Sequence, residues 1–306
     1  MPITVPDTLP AQHILEEENI FVMTEYRATH QDIRPLSVLI LNLMPTKEVT
    51  ETQLLRKLSN TPLQIQVEFL QTRSYRSTHT SKYHLDKFYF TFDEVRNRKY
   101  DGMIITGAPL DYVDFEDTAY WEEVCEIMEW TKTHVHCTFH LCWAAYAGLY
   151  YHHGIKKFYH DTKMFGVLDH RVLKPQSPLF RGFNDTFPAP VSRATDVHLE
   201  DVLACPDIEL MATTVDGSFA IGKTHDNRRF YVTPHTEYDR DTLKLEYERD
   251  MEKGLTSVKL PVNYFPDDDP TKEPVITWKS AGQLLYSNWL NFYVYQSTPF
   301  DRLDIK

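Results

Sequence analysis

The chain has 306 residues, with 32 basic and 44 acidic side chains, and a formal net charge of -12. That balance argues against a general nucleic-acid binder or a polybasic membrane binder, and leaves room for an anionic co-substrate held by a local basic patch. Hydrophobic residues make up 42% and charged residues 25%, the composition of a globular chain long enough for one large α/β domain.

Pro2, Pro6 and Pro10 interrupt the first 35 residues, which are expected to form an arm packed on the core, with a short helix at 11–18 and a strand at 20–23. Residues 36–306 are expected to form a single α/β domain with a C-terminal extension. Residues 36–44 are almost continuously apolar, as in a parallel strand covered on both faces. Pro45 closes that strand, 47–58 reads as a helix and 63–70 as the next strand, which together fit a right-handed βαβ unit. The polar stretch 72–85 reads as a solvated loop, 92–98 as a short helix and 100–110 as a strand with its exit turn. In that turn Gly107 and Ala108 leave room for a ligand or a nucleophile to approach the backbone. A helix at 120–133 precedes the strand 135–141. Beyond 154 the pattern changes to short antiparallel strands at 165–167 and 170–173, and Pro175, Pro178, Pro188 and Pro190 mark a loop-rich passage. Strands follow at 209–213, 219–224 and 229–233, the last two joined at Asp226-Asn227. A polar helix at 241–253, an acidic loop at 254–274 and an amphipathic helix at 280–294 complete the chain. Asp267-Asp268-Asp269 lacks EF-hand spacing and reads as a solvated loop.

The chemistry centres on Cys142, at the end of the apolar run 135–141 and followed at once by the small residues Ala144 and Ala145. A strand that turns sharply into a helix needs little bulk there. A nucleophile on the turn projects from the sheet edge, with the helix's first N–H groups facing any oxyanion formed on it. Read alone, such a cysteine is more often a buried small hydrophobe. A second stretch, Thr233-Pro234-His235-Thr236-Glu237, supplies what a reactive thiol needs: a histidine as base and a carboxylate to fix its tautomer. The four cysteines, Cys125, Cys137, Cys142 and Cys205, form no CxxC pair, so neither a metal centre nor a disulfide framework is expected. Free thiols, the absence of a signal-like N-terminus and the lack of an apolar span point to the cytoplasm.

Over nearly its whole length the chain resembles the MetA family of homoserine O-acyltransferases, also called homoserine transsuccinylases. The resemblance is carried by ENIFVMTEYRATHQDIRPL, ILNLMPTKEVTETQLLR, NTPLQIQVEFLQT, ITGAPLDYVDFEDTAYWEE, GVLDHRV, NYFPDDDP and SNWLNFYVYQ. It implies the flavodoxin-like α/β fold of class I glutamine amidotransferases, with a mostly parallel central sheet. It further implies that Cys142 carries the acyl group as a thioester, His235 acts as general base, and Glu237 orients it. Lys163, Ser192 and Arg249 would contact the amino-acid substrate, and backbone N–H groups including that of Trp143 would bind the oxyanion. No cofactor would be bound permanently, the acyl-CoA being a co-substrate, and the protein would be a homodimer. In this family a glycine at position 111 goes with succinyl-CoA and a glutamate with acetyl-CoA. Asp111 would repel the free carboxylate of a succinyl group, so acetyl-CoA is the expected donor.

Three departures adjoin these residues. The usual SRHTEV is here Ser192-Arg193-Ala194-Thr195-Asp196-Val197, the usual GHPEYD is Pro234-His235-Thr236-Glu237-Tyr238-Asp239, and the usual HICWGAQAG becomes a segment containing Ala144 and Tyr146. They bear on the amino-acid pocket, and L-serine, one methylene shorter than L-homoserine, is the alternative acceptor. Homoserine O-succinyl transfer, glutamine amidotransfer or thiol hydrolysis, and a non-catalytic binding protein on the same fold are the competing readings.

Overall fold

In a computed structural model, residues 3–17, 22–25, 34–75, 79–254, 259–299 and 301–305 are described. Seven parallel strands form the centre of one sheet: β1 (Ile3–Val5), β2 (Val22–Thr24), β3 (Leu36–Leu41), β4 (Ile65–Leu70), β6 (Tyr100–Ile105), β7 (Val135–Leu141) and β12 (Arg229–Val232). The short β5 (Tyr89–Phe90) pairs with β4. Their order is β2-β1-β4-β3-β6-β7-β12, and the sheet continues antiparallel through β11 (Phe219–Thr224), β10 (Ile208–Thr214), β8 (Lys157–Val172) and β9 (Thr186–Val197). Of the strand expected at 20–23, Ile20 and Phe21 lie outside the described residues.

The continuous apolar runs are the central strands: every residue of β3 and β6 is buried, because helices cover both faces. These helices are α1 (Pro10–Glu17), α2 (Lys47–Leu58), α3 (Lys82–Phe88), α4 (Phe92–Val95), α5 (Trp121–His134), α6 (Trp143–His153), α7 (Leu199–Ala204), α8 (Thr242–Glu252) and α9 (Lys279–Asn288). Two apolar clusters result, one on each face. The first includes Val38, Ile40, Leu54, Phe69, Phe139 and Trp289, and the second Leu39, Leu41, Met103, Ile105, Ala145 and Leu149.

The sequence reading needs correction in three places. The passage punctuated by prolines is a long hairpin, β8 with β9, in which Pro188 pairs with Asp169 and Pro190 with Val167. Proline is accommodated because β9 is the edge strand and donates nothing to a further neighbour at those positions. The stretch read as a loop at 72–85 contains the start of α3, whose His84 is buried and bonds Glu51 of α2 at 2.9 Å. The closing helix changes to a π-helix at Trp289–Tyr295, in which Trp289 and Tyr293 are core while Tyr295 is exposed.

Trp289 is fully buried, donates its indole N–H to Cys137 Sγ at 3.2 Å, and lies edge-on to Phe139. Replacing it with alanine is expected to cost about 3–5 kcal/mol of stability, read from denaturant unfolding. A loss under about 1 kcal/mol would mean that the tail is not part of the core.

Candidate active site

Strands β7 and β12 are adjacent and parallel, with Leu141 opposite Val232, so the residues that follow them emerge at the same carboxyl edge of the sheet. Cys142 follows β7 and precedes α6 without an intervening loop. Its N–H donates to Val232 O at 2.8 Å and extends the ladder, while its carbonyl accepts from Ala145 N at 2.9 Å and so opens the helix. One residue can serve both only in an unusual conformation, and Cys142 has φ 49 and ψ -113, a left-handed φ that an L side chain rarely adopts. The turn is tight. A Cβ at Gly107 would stand 3.2 Å from Cys142 Cβ, and one at Gly148 would stand 2.8 Å from the Tyr231 ring. The N–H groups of Trp143 and Ala144 belong to the first turn of α6, where helical geometry provides no acceptor within the helix.

His235 lies beyond β12, held by its N–H on Pro190 O at 2.8 Å and stacked on Tyr238 with ring centroids 4.2 Å apart. Its Nδ1 is 2.6 Å from Glu237 Oε1, and its imidazole also hydrogen-bonds Cys142. Burial works against charge on this imidazole, but the negative charge of Cys142 and of Glu237 outweighs it and holds His235 well above the ordinary histidine range. Cys137, within β7, is buried away from the histidine, and burial pushes its thiol up to about 12, despite the Trp289 N–H. Cysteine, histidine and glutamate thus form a connected triad in which the thiol and base are buried together.

The residues implied to contact the substrate come to the same cleft, which is lined by Asp111, Cys142, Lys163, Ser192, His235 and Arg249. Lys163 lies in the irregular stretch of β8 where pairing with β9 slips between Tyr159 and Met164. Its ammonium is 3.2 Å from Asp250 and 3.8 Å from Glu246. Arg249 makes two bonds to Asp250 Oδ1, at 2.8 Å from Nε and 2.7 Å from Nη2. Burial would raise the Asp250 carboxyl, but Arg249 and Lys163 hold it below the usual range. Asp111 is half-buried and shifts the other way: burial raises it, while Lys163, the Ala194 N–H and His235 oppose and Glu246 adds to the rise.

Two groups in the cleft were missed by the sequence reading. Glu246 accepts from Ser192 Oγ at 2.5 Å and from Tyr238 OH at 2.9 Å, tying β9, α8 and the histidine loop together. The available signal was its place three residues before Arg249, on the same helical face. Met44, in the loop after β3, closes another side of the cleft, and nothing in its sequence context distinguishes it from core. Of the departures, Tyr146 is buried with its hydroxyl 3.4 Å from Asp196, and Asp196 is itself buried and accepts from the buried Arg193 at 3.1 Å, which also donates to Thr233 at 2.9 Å. Ala194 offers its N–H to Asp111.

A parallel sheet with a cysteine on a strand-to-helix turn and a His–Glu pair on the next strand has the architecture of class I glutamine amidotransferases, and its groups are suited to acyl chemistry through sulfur. Among solved structures the chain is similar to a glutamine amidotransferase of Thermotoga maritima, with a TM-score of 0.56 and 12% identity over 85% of this chain and 98% of that one. Its sequence matches the profile of the homoserine O-succinyltransferase family over residues 2–300, and the chain belongs to that family. Relatives include the homoserine O-acetyltransferases of Acetivibrio thermocellus, 54% identical, and Bacteroides thetaiotaomicron, 51% identical, each covering 100% of both chains. Among the described residues no helix is long and apolar enough to cross a membrane.

Proposed function

We propose that the protein transfers an acetyl group from acetyl-CoA to the hydroxyl of L-homoserine through an acyl-cysteine, giving O-acetyl-L-homoserine for methionine synthesis in the cytoplasm. The observation that carries this reading is the convergence of Cys142 and His235 with Lys163, Ser192, Arg249 and Asp111 on one cleft. Cys142 attacks the thioester carbonyl, and the tetrahedral oxyanion is met by the N–H of Trp143 at the helix start. CoA leaves as its thiol with the proton of His235. In the acyl-enzyme the charge on Cys142 is gone, and with it the largest influence that had held the imidazole high, so His235 becomes a base for the homoserine hydroxyl. The alkoxide takes the acetyl group, and the cysteine–imidazolium pair is restored. Arg249 suits the α-carboxylate of the amino acid. The near-complete burial of the thiol and base favours ester over acid as product.

Initial rates with L-homoserine and L-serine, each with acetyl-CoA and succinyl-CoA, test the reading, and kcat/KM is expected to be highest for homoserine with acetyl-CoA. The alternative acceptor is L-serine, and it rests on the departures near the site, Ala194, Pro234 and Tyr146. One methylene is worth about 1–3 kcal/mol in a fitted pocket, enough for this assay to decide.

Asp111 provides the test of the donor. Asp111→Gly removes a carboxylate from the cleft and is expected to raise the succinyl-to-acetyl ratio of kcat/KM on the order of 10²-fold, since opposed like charges cost several kcal/mol. An unchanged ratio would remove Asp111 from donor selection.

A further inference from the structure

Helix α2 ends with two basic side chains, Arg56 and Lys57. Arg56 pairs with Asp239 at 2.5 Å. Lys57 turns inward and is only 3% exposed. A lysine is seldom buried this deeply without a partner, so the place where its ammonium ends needs a cause.

Three observations locate that cause at the triad carboxylate. Glu237 spends Oε1 on His235, while its Oε2 is buried without a hydrogen-bond partner. A buried anionic oxygen left in that state is costly unless an opposite charge stands near. The strongest attraction on the Lys57 ammonium is to Glu237, with Asp239 weaker; Arg56 on its own helix and Lys279 on α9 repel it. Finally, α9 makes room for the ammonium. At Gly282 a Cβ would stand 2.8 Å from Lys57 Nζ and 2.5 Å from the carbonyl oxygen of Thr236, the residue just before Glu237. Glycine inside a helix costs about 1 kcal/mol relative to alanine, and here its missing side chain is the space that Lys57 and the triad loop share.

We propose that Lys57 is a positioning residue of the catalytic machinery, its ammonium balancing the free side of Glu237 and so setting how strongly that carboxylate holds the His235 proton. The inference rests on the acyl-transfer reading above and adds to it a residue outside the cleft. With Lys57 charged, the pull of Glu237 on the imidazolium is moderated, and His235 can release its proton to act on the acceptor. Without that cation Glu237 is unbalanced and His235 keeps its proton to higher pH, so the acyl-enzyme waits for a base. Tyr286 of α9 is buried near Glu237 but brings no charge to replace it. Burial pushes the Lys57 ammonium down to about 8, with Glu237 partly opposing, so the balance is lost as pH rises through that value.

The test uses the full chain with Lys57→Met and Lys57→Arg, each checked for folding by thermal unfolding. Lys57→Met is expected to lower kcat at pH 7 by about tenfold with KM for acetyl-CoA within about twofold, and to move the acid limb of the kcat–pH profile upward. Lys57→Arg keeps its charge at all accessible pH, so it should restore kcat and return the acid limb that Lys57→Met displaces to its wild-type position. A folded Lys57→Met with wild-type kcat and profile overturns the inference, and so does Lys57→Arg that leaves kcat low and the acid limb displaced as in Lys57→Met; Lys57→Gln, held to the same two outcomes, decides the matter if the methionine variant fails to fold. A substrate-free arm separates this inference from the functional reading. The alkaline inflection of Cys142 alkylation by iodoacetamide, where the imidazolium is lost, should move up in Lys57→Met. An unmoved inflection overturns the role of Lys57 alone, whereas wild-type Cys142 that gains no acetyl mass from acetyl-CoA overturns the acyl-transfer reading alone.

Discussion

Replacing Cys142 with alanine is expected to reduce acyl transfer on the order of 10⁴-fold or more while leaving the protein folded. The size follows from the absence of a substitute nucleophile in the right place. Cys137 lies within β7, the strand before Cys142, but it is fully buried, bonded by the Trp289 indole, and pushed up to about 12 by its burial. Burial also pushes Cys125 up, to about 11, and it sits on α5, away from the His–Glu pair. Alanine keeps the Cβ that already fits against Gly107 and inherits the same φ of 49, so little new strain enters. Two readings of one sample decide. After mixing with acetyl-CoA, intact mass should show one acetyl group on the wild type and none on Cys142→Ala, and both should unfold at similar temperatures. A folded alanine variant that retains turnover, or one that still gains the acetyl mass, would mean that the thioester forms elsewhere or not at all.

How much of this could be read from the sequence differs by element, for physical reasons. The strand that leads into Cys142 was legible because helices cover both faces of the parallel sheet, so burial leaves a largely apolar run in the chain. The pairing of Cys142 with His235 was legible as chemistry, but its geometric basis, the parallel contact of β7 with β12, joins segments separated by the whole β8–β11 region and leaves no local pattern. The β8–β9 hairpin was hidden by Pro188 and Pro190, which read as loop because an edge strand cannot be told from a loop without its partner. Lys163 and Arg249 were visible only through family resemblance, since an isolated lysine or helix arginine reads as solvated surface. Their meaning comes from Asp250 and Glu246, one helix turn apart, which hold them at the cleft. Lys57 was the least legible of all. On an amphipathic helix a lysine beside Arg56 reads as a polar face, and only the packing of α2 against α9 at Gly282 turns it toward Glu237.

His235→Asn should cost about 10³–10⁴-fold in turnover, and the loss should fall unequally on the two half-reactions. In the resting enzyme burial opposes charge on the imidazole, but the charges on Cys142 and Glu237 hold its proton well above the ordinary range. Acylation of the wild type should therefore vary little with pH around neutrality, because the imidazolium keeps the proton that the departing CoA needs. Acylation of Cys142 removes the first of those charges. The folded environment then has burial acting downward with only Glu237 against it, so the imidazole titrates lower in the acyl-enzyme than in the free enzyme. Transfer to the acceptor requires the neutral form, and its rate should fall as pH drops through that lower value. Asparagine can replace a hydrogen bond to Glu237, which is 2.6 Å from Nδ1, but can neither accept nor return a proton. In the variant, a pulse of acetyl-CoA should leave acetyl-Cys142 that accumulates slowly and then persists in the presence of homoserine. The acid limb of the transfer step should be missing from its pH profile. If the variant instead passes its acetyl group to homoserine at the wild-type rate, with the acid limb intact, the base is another group. Glu246 is then the first to test, since it lines the cleft and already accepts the Ser192 hydroxyl.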